Sequence, residues 1–338
     1  MSVRCASPGV SPGVSPASAP RNQPPVARDD DPCVELLYTA SQEGRSTDVL
    51  AMLRARVYRA HHIRRALCIA ASSDHANVLQ AILQKIPYVN VPLSELVSAS
   101  CAHSIAELTP LYGAAHHGSL ESASVLVEAK VDVNNSGSSF TRPLAAAARG
   151  GHTEVLQLLI DAKGDVDRKV RSEEPLLVDA IEGGESDCVQ ALLQAKATAN
   201  PREPEGPLGV LCTRVPMCAA ARRNRPDMLE LLIAAKGDVD GAPIHVAAGH
   251  GCTEAVHTLR HHGAQLRERD GWTVLMLAAC KGHAATVQRL LVYDPQLADV
   301  ASTRTRLCNG RAVLRGSTPL DMAREFEHEG VAALLHST

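Results

Sequence analysis

The residues whose types could do chemistry are the histidines, cysteines, carboxylates and arginines. His257 and His261 stand four apart, with His250, Cys252 and His262 nearby, a spacing that on a helix sets two imidazoles on one face as in many zinc sites. No acidic or thiolate quartet completes a coordination shell, so these are read as structural or surface histidines. The pairs His61-His62 and His116-His117 are adjacent, and neighbouring side chains on a helix diverge, so both pairs are read as surface or turn residues that do not chelate. Ten cysteines are scattered without a C-x-x-C pair, which predicts reduced thiols, no structural disulfide and no tightly held metal. Asp132, Asp165, Asp167, Asp238 and Asp240 recur with a period and predict an evenly solvated edge rather than an acid/base dyad. Arginines cluster at Arg54 to Arg65, Arg222 to Arg225 and Arg304 to Arg315, and are read as solvated faces; the alternative is recognition of an acidic partner. No phosphate loop, nucleophile elbow or H-E-x-x-H motif is present. The expectation is no cofactor, no metal and no enzyme.

The elements that position these residues follow from a repeat. Residues 158–167 reappear as 231–240 with one difference in ten, Asp161 against Ala234. Around these copies runs a looser unit: Pro-Leu, two small residues, a Gly-His turn, an acidic residue, then an apolar helical run. Its turn falls at Gly44, Asp74, Gly118, Gly151, Gly184, Asn224, Gly251, Gly282 and Glu327, which makes nine units, with two successive intervals of 33 residues. The longer intervals place insertions near 91–106 and 295–315.

Each unit predicts a helix, a turn, a second helix and an extended connector. Thr109 and Thr318 suit a helix N-cap, and the Pro after each suits the first helical position, where a missing N–H costs nothing. Paired alanines let a helix approach its neighbour closely, and Val155, Leu156, Leu158 and Leu159 give the second helix a buried stripe. Lys130, Lys163, Lys196 and Lys236 occupy a left-handed cap after the second helix, at a cost of about 1 kcal/mol each. One helix pair cannot bury its apolar face alone, so the units must stack.

These residues resemble the ankyrin repeats, whose pattern is T-P-L-H-x-A-A, then G-H-x-E-V-V, L-L and G-A-D-V-N. The best match runs Thr109-Pro110-Leu111-Tyr112-Gly113-Ala114-Ala115, Gly118, Val125-Leu126 and Asp132-Val133-Asn134. Others are Pro143-Leu144 with Gly151-His152 and Glu154-Val155, Pro243-Ile244-His245 with Gly251, Leu277-Ala278-Ala279 with Gly282-His283, and Thr318-Pro319-Leu320. The fold expected is an all-α repeat protein, an L-shaped ankyrin-type α-solenoid with β-hairpin-like connectors. About nine repeats fill 33–336, after a disordered Ser/Pro-rich tail over 1–32.

The resemblance implies a protein-interaction scaffold that binds a protein partner on the concave surface of connector tips and first helices. The alternative is a regulatory or substrate-recognition adaptor subunit of an enzyme complex such as a ubiquitin ligase. Trp272, the single Trp, lies where the pattern places a variable connector tip, and Trp leads the residues found at interface hot spots. Phe140, Arg168, Lys169, Arg171, Arg267 and Arg269 are expected on the same edge, although Trp272 would serve equally to pack its own connector. The resemblance also implies asparaginyl hydroxylation at Asn134; the plainer reading is an Asn that hydrogen-bonds its own turn.

Composition agrees with a repeat array. Two Phe, five Tyr and one Trp among 338 residues imply layers of Ala, Leu and Val packed at close range. A net charge of −3 argues against nucleic acid or anionic membrane as the partner. No run approaches the roughly 18 apolar residues of a membrane span, and none follows the first charge as a secretory signal would. A monomeric intracellular protein, cytoplasmic or nuclear, is expected, without direct membrane insertion.

Overall fold

The computed structural model describes residues 26–85, 109–134, 142–167, 175–200, 215–266, 272–308 and 310–337. Local capping sets the helix starts. Asp31, Thr109, Thr273 and Thr318 each accept a backbone N–H with the side chain, and at Asp31, Thr109 and Thr318 the next residue is a proline. The helices are α1 Pro32–Gln42, α2 Ser46–Ala55, α3 Ala60–Ser72, α4 Ala76–Leu83, α5 Pro110–His117, α6 Leu120–Glu128, α7 Pro143–Gly150, α8 Thr153–Asp161 and α9 Leu176–Gly183. They continue as α10 Ser186–Gln194, α11 Pro216–Arg222, α12 Pro226–Ala234, α13 Ala242–Gly249, α14 Thr253–His261, α15 Val274–Cys280, α16 Ala284–Tyr293, α17 Pro319–Glu325 and α18 Glu329–His336.

These 18 helices form nine consecutive pairs. The odd-numbered helices pack on one another from α1 to α17 in one layer, and the even-numbered ones from α2 to α18 in a second. The core lies between the layers and is built of Ala, Leu and Val: Ala114, Ala147, Ala220 and Ala247 from first helices, and Leu126, Leu159, Leu192 and Leu232 from second helices, are all fully buried. Alanine on the first helices permits the close stacking that the composition demanded.

All nine expected turn positions have left-handed backbone. At Asp74, Asn224 and Glu327, which are not glycine, φ is 55°, 52° and 61°. Two of the three offset this strain across the unit boundary: Asp74 Oδ1 accepts Ser122 N at 3.0 Å, and Asn224 Oδ1 accepts Ala255 N at 3.0 Å. The residue after the turn also reaches backwards. His75, His152, His283 and His328 donate from Nε2 to Gln42 O, His116 O, Gly249 O and Cys280 O at 2.8 to 3.2 Å, so each of these four units is bonded to the one before it. Arg225 substitutes in the sixth unit, donating to Gly184 O. Lys130, Lys163, Lys196 and Lys236 adopt the expected left-handed cap, with φ between 59° and 65°. Gly183 has a role beyond the turn: a Cβ there would lie 2.6 Å from Arg149 O, so α9 approaches the end of α7 more closely than any side chain permits.

The insertion near 295–315 folds as a 3-10 helix, Pro295–Asp299, and a two-stranded antiparallel hairpin of β1 Arg306–Cys308 and β2 Arg311–Val313. The insertion near 91–106 lies outside the described residues, as do residues 1–25 of the expected tail. Residues 26–31, assigned to that tail from composition, instead pair with the second unit. Val26 bridges Val57, Ala27 N donates to Val57 O at 2.8 Å, and Asp31 forms an ion pair with Arg56. The ordered array therefore begins before residue 33.

The cysteine expectation is also corrected. Cys280 and Cys308 form a disulfide, with an S–S distance of 2.04 Å, because the hairpin returns Cys308 to the end of α15 across 28 residues of sequence. Cys33, Cys188 and Cys252 are free thiols. Burial pushes the Cys188 and Cys252 thiols above their ordinary range, which keeps them protonated and unreactive.

Candidate interaction surface

First helices turn their small residues into the stack, and α1, α5 and α7 leave the residues nearest the turn, Gln42, His116, His117, Arg149 and Gly150, exposed. In α5 Tyr112 of the first turn stacks on His116, with ring centroids 5.8 Å apart, beside the exposed His117. Burial, together with the neighbouring His117 and His152, holds His116 below the ordinary imidazole value, so it is neutral at pH 7.

Further along the same layer the ends are charged and joined in pairs. Arg149 of α7 bonds the buried carboxylate of Asp179 on α9. Glu182 of α9 receives both Arg222, at 2.5 Å, and Arg223 from α11, and the bonds to Glu182 hold Arg223 above its ordinary value. Arg225 grips Asp227 at 2.7 Å, keeping that carboxyl below the usual range. The arginine cluster at 222–225 thus spans unit boundaries rather than forming an unpaired basic patch.

Trp272 does not stand on this surface. It is 0% exposed and packs with Met276, Cys280, Cys308, Val313 and Met322, and its Nε1 donates to Arg304 O at 3.4 Å. The hairpin and α17 cover the indole, which corrects its assignment as a surface anchor. Phe140, Arg168, Lys169, Arg171, Arg267 and Arg269 lie outside the described residues.

Asn134 ties two connectors together: Oδ1 accepts Asp165 N at 2.8 Å and Nδ2 donates to Lys163 O at 3.3 Å. Asn200 repeats the arrangement with Asp238 N and Lys236 O, each at 2.9 Å. The sequence reading singled out Asn134 and passed over Asn200, although both follow a Lys cap by four residues.

The histidines separate into two groups. His257 Nδ1 meets Tyr293 OH at 2.5 Å and His262 meets Glu230 at 2.9 Å, so the first candidate cluster is divided among different partners. His61 and His62 behave contrary to expectation. Their ring centroids are 4.1 Å apart and both Nε2 atoms lie against one oxygen, Asp29 Oδ1, at 3.0 and 2.9 Å. Adjacent helical side chains start apart, but a carboxylate set across the first turn of α3 lies within reach of both. The signal that could have found this cluster, Asp29, sat in a segment read as tail.

A family model described as ankyrin repeats matches residues 67–169, 111–204 and 244–338, together more than half of the chain. A search of curated proteins finds no match. Among solved structures, the crystal structure of the human ASB11 ankyrin repeat domain aligns with a TM-score of 0.54 at 22% identity, covering 67% of this chain and 97% of that one. At that identity the likeness speaks for the fold alone. The chain belongs to the ankyrin repeat family.

Proposed function

We propose that this chain is a protein-binding scaffold whose partner rests on the exposed ends of the first helices and the adjoining connector tips. The observation that carries the reading is the unbroken layer of first helices from α1 to α17, which presents side chains of different units at regular spacing along one face. Ankyrin repeats in general are a protein-interaction fold, and we read this chain as a binder rather than an enzyme. Among the described residues no helix is long and apolar enough to cross a membrane.

Phe140, Arg168, Lys169, Arg171, Arg267 and Arg269 remain the proposed tip contacts. Trp272 is withdrawn from that set. Affinity capture from native lysate, with mass-spectrometric identification, tests the surface when wild type is compared with the triple variant Arg168→Ala, Lys169→Ala, Arg171→Ala. Loss of the partner with an unchanged melting curve supports it, and full retention by the variant removes these tips from the site. Capture of a multi-subunit enzyme complex such as a ubiquitin ligase would favour the adaptor reading. Light scattering tests the proposed monomeric state. Cell fractionation tests an intracellular location, which must accommodate the Cys280–Cys308 bond, since disulfides are rare in reducing compartments. Hydroxylation of Asn134 stands as a further proposal, ended by peptide maps that show only unmodified Asn134 after exposure to an active asparaginyl hydroxylase.

A further inference from the structure

We propose that Asp29, His61 and His62 form a binding site for a divalent transition-metal ion of the zinc class, which clasps the segment before α1 to the start of α3. One ligand atom from each residue, Asp29 Oδ1 and the two imidazole Nε2 atoms, lies within 4.8 Å of the others. The two nitrogen-to-oxygen separations, 3.0 and 2.9 Å, are a few tenths of an ångström short of the edge, about 3.3 Å, of a tetrahedron built on metal-ligand bonds of about 2.0 to 2.1 Å. A small outward shift of Asp29, whose side chain is 64% exposed, would lengthen both separations to that edge.

The donor set selects the class of ion. Two imidazoles and one carboxylate are the borderline nitrogen and oxygen ligands preferred by Zn²⁺ and its first-row neighbours, and three protein ligands leave a fourth position for water. His62 supplies a second reason. Its side chain is 2% exposed and its Nδ1 is buried with no hydrogen-bond partner among the described residues, so Nε2 is the ring's single polar outlet and it opens onto this cluster. Arg59 binds the other carboxylate oxygen, Oδ2, at 3.1 Å. That contact orients Asp29 so that Oδ1 faces the imidazoles, while its charge tempers the affinity for a cation.

An ion held here would join Asp29 to residues 32 and 33 positions further on, and would fix the place where the chain enters the solenoid. Its test is a titration of the full-length protein with Zn²⁺ in competition with a chromophoric chelator, with Co²⁺ as the spectroscopic probe of nitrogen and oxygen ligation. One equivalent is expected, and Asp29→Asn and His61→Ala should each weaken it at least about tenfold, since even outer partners of metal ligands are worth about 10- to 100-fold. Both altered residues are largely exposed, and circular dichroism checks that the variants fold. The double variant His257→Ala, His261→Ala should leave that equivalent in place. No binding, equal binding in Asp29→Asn and His61→Ala, or loss only in the His257/His261 variant would overturn the proposal.

Discussion

At the N-terminal end, residues 26–31 lie along the connector after α2 and the start of α3 through a single β-bridge, the buried Ala27 and a fringe of polar contacts, in which Asp29 meets Arg59, His61 and His62 and Asp31 meets Arg56. At the C-terminal end, the hairpin and α17 close over Trp272, Met276, Val313 and Met322, and the Cys280–Cys308 bond ties the hairpin to α15. Both devices fold a segment outside the helix pairs back onto the array. Exposed ion pairs contribute roughly 0 to 1 kcal/mol each, whereas a buried indole removes a large apolar surface from water. In a linear array each unit is stabilised by its neighbours, so the end with the weaker cover opens first. The molecule should therefore fray from its N-terminus.

The largest test of this contrast is Trp272→Ala. Emptying that site should cost about 3 to 5 kcal/mol and lower the melting temperature of the C-terminal units, as read by calorimetry and amide exchange. Unchanged melting would restore the indole to the surface.

Reduction of the disulfide, or Cys308→Ala, should cost about 2 to 4 kcal/mol, with lost protection confined to the hairpin, α15 and α17. Thiol labelling with intact mass should count two fewer accessible thiols before reduction than after it.

Thr318→Ala removes the side-chain half of a capping box, in which Thr318 Oγ1 accepts Asp321 N, while leaving the backbone N–H that Asp321 accepts, and should cost about 1 kcal/mol. The backbone N–H of Thr318, and then its hydroxyl, hold the Asp321 carboxyl below the ordinary value of 3.8. Because the folded value is the lower one, this stabilisation is fully present above about 3.8 and is lost as the pH falls through the folded value. A pH series of melting curves should show that acid loss in the wild type and its reduction in Thr318→Ala.

The smallest expected effect lies at the other end. Asp31→Asn weakens the pair with Arg56 and should speed amide exchange over 26–42 without moving the main transition. A fall in the main transition would show that the N-terminal cover is part of the cooperative core.

Much of the array was legible because its determinants are local. Most units mark the position that needs left-handed backbone with glycine, and Asp74 and Asn224 mark it with a side chain that bonds across the boundary. Hence Asp74 and Asn224 could be placed in register with Gly151 before any contact was known. The binding surface was less legible. Trp272 read as a variable tip because the repeat pattern carries no information about an insertion folding back over it, and Arg222 and Arg223 read as a solvated patch because Glu182 lies a whole unit away.

By itself the sequence determined that the chain is a stack of helix pairs and where the described pairs turn, since periodicity, capping residues and small side chains act within a few residues or between adjacent copies. Only the tertiary structure decided that Cys280 meets Cys308, that Trp272 is enclosed, and that Asp29 reaches His61 and His62. Each of these depends on a non-repeating segment closing a loop onto the array. No periodic pattern encodes that closure, whose outcome rests on apolar burial at one end and charge pairing at the other.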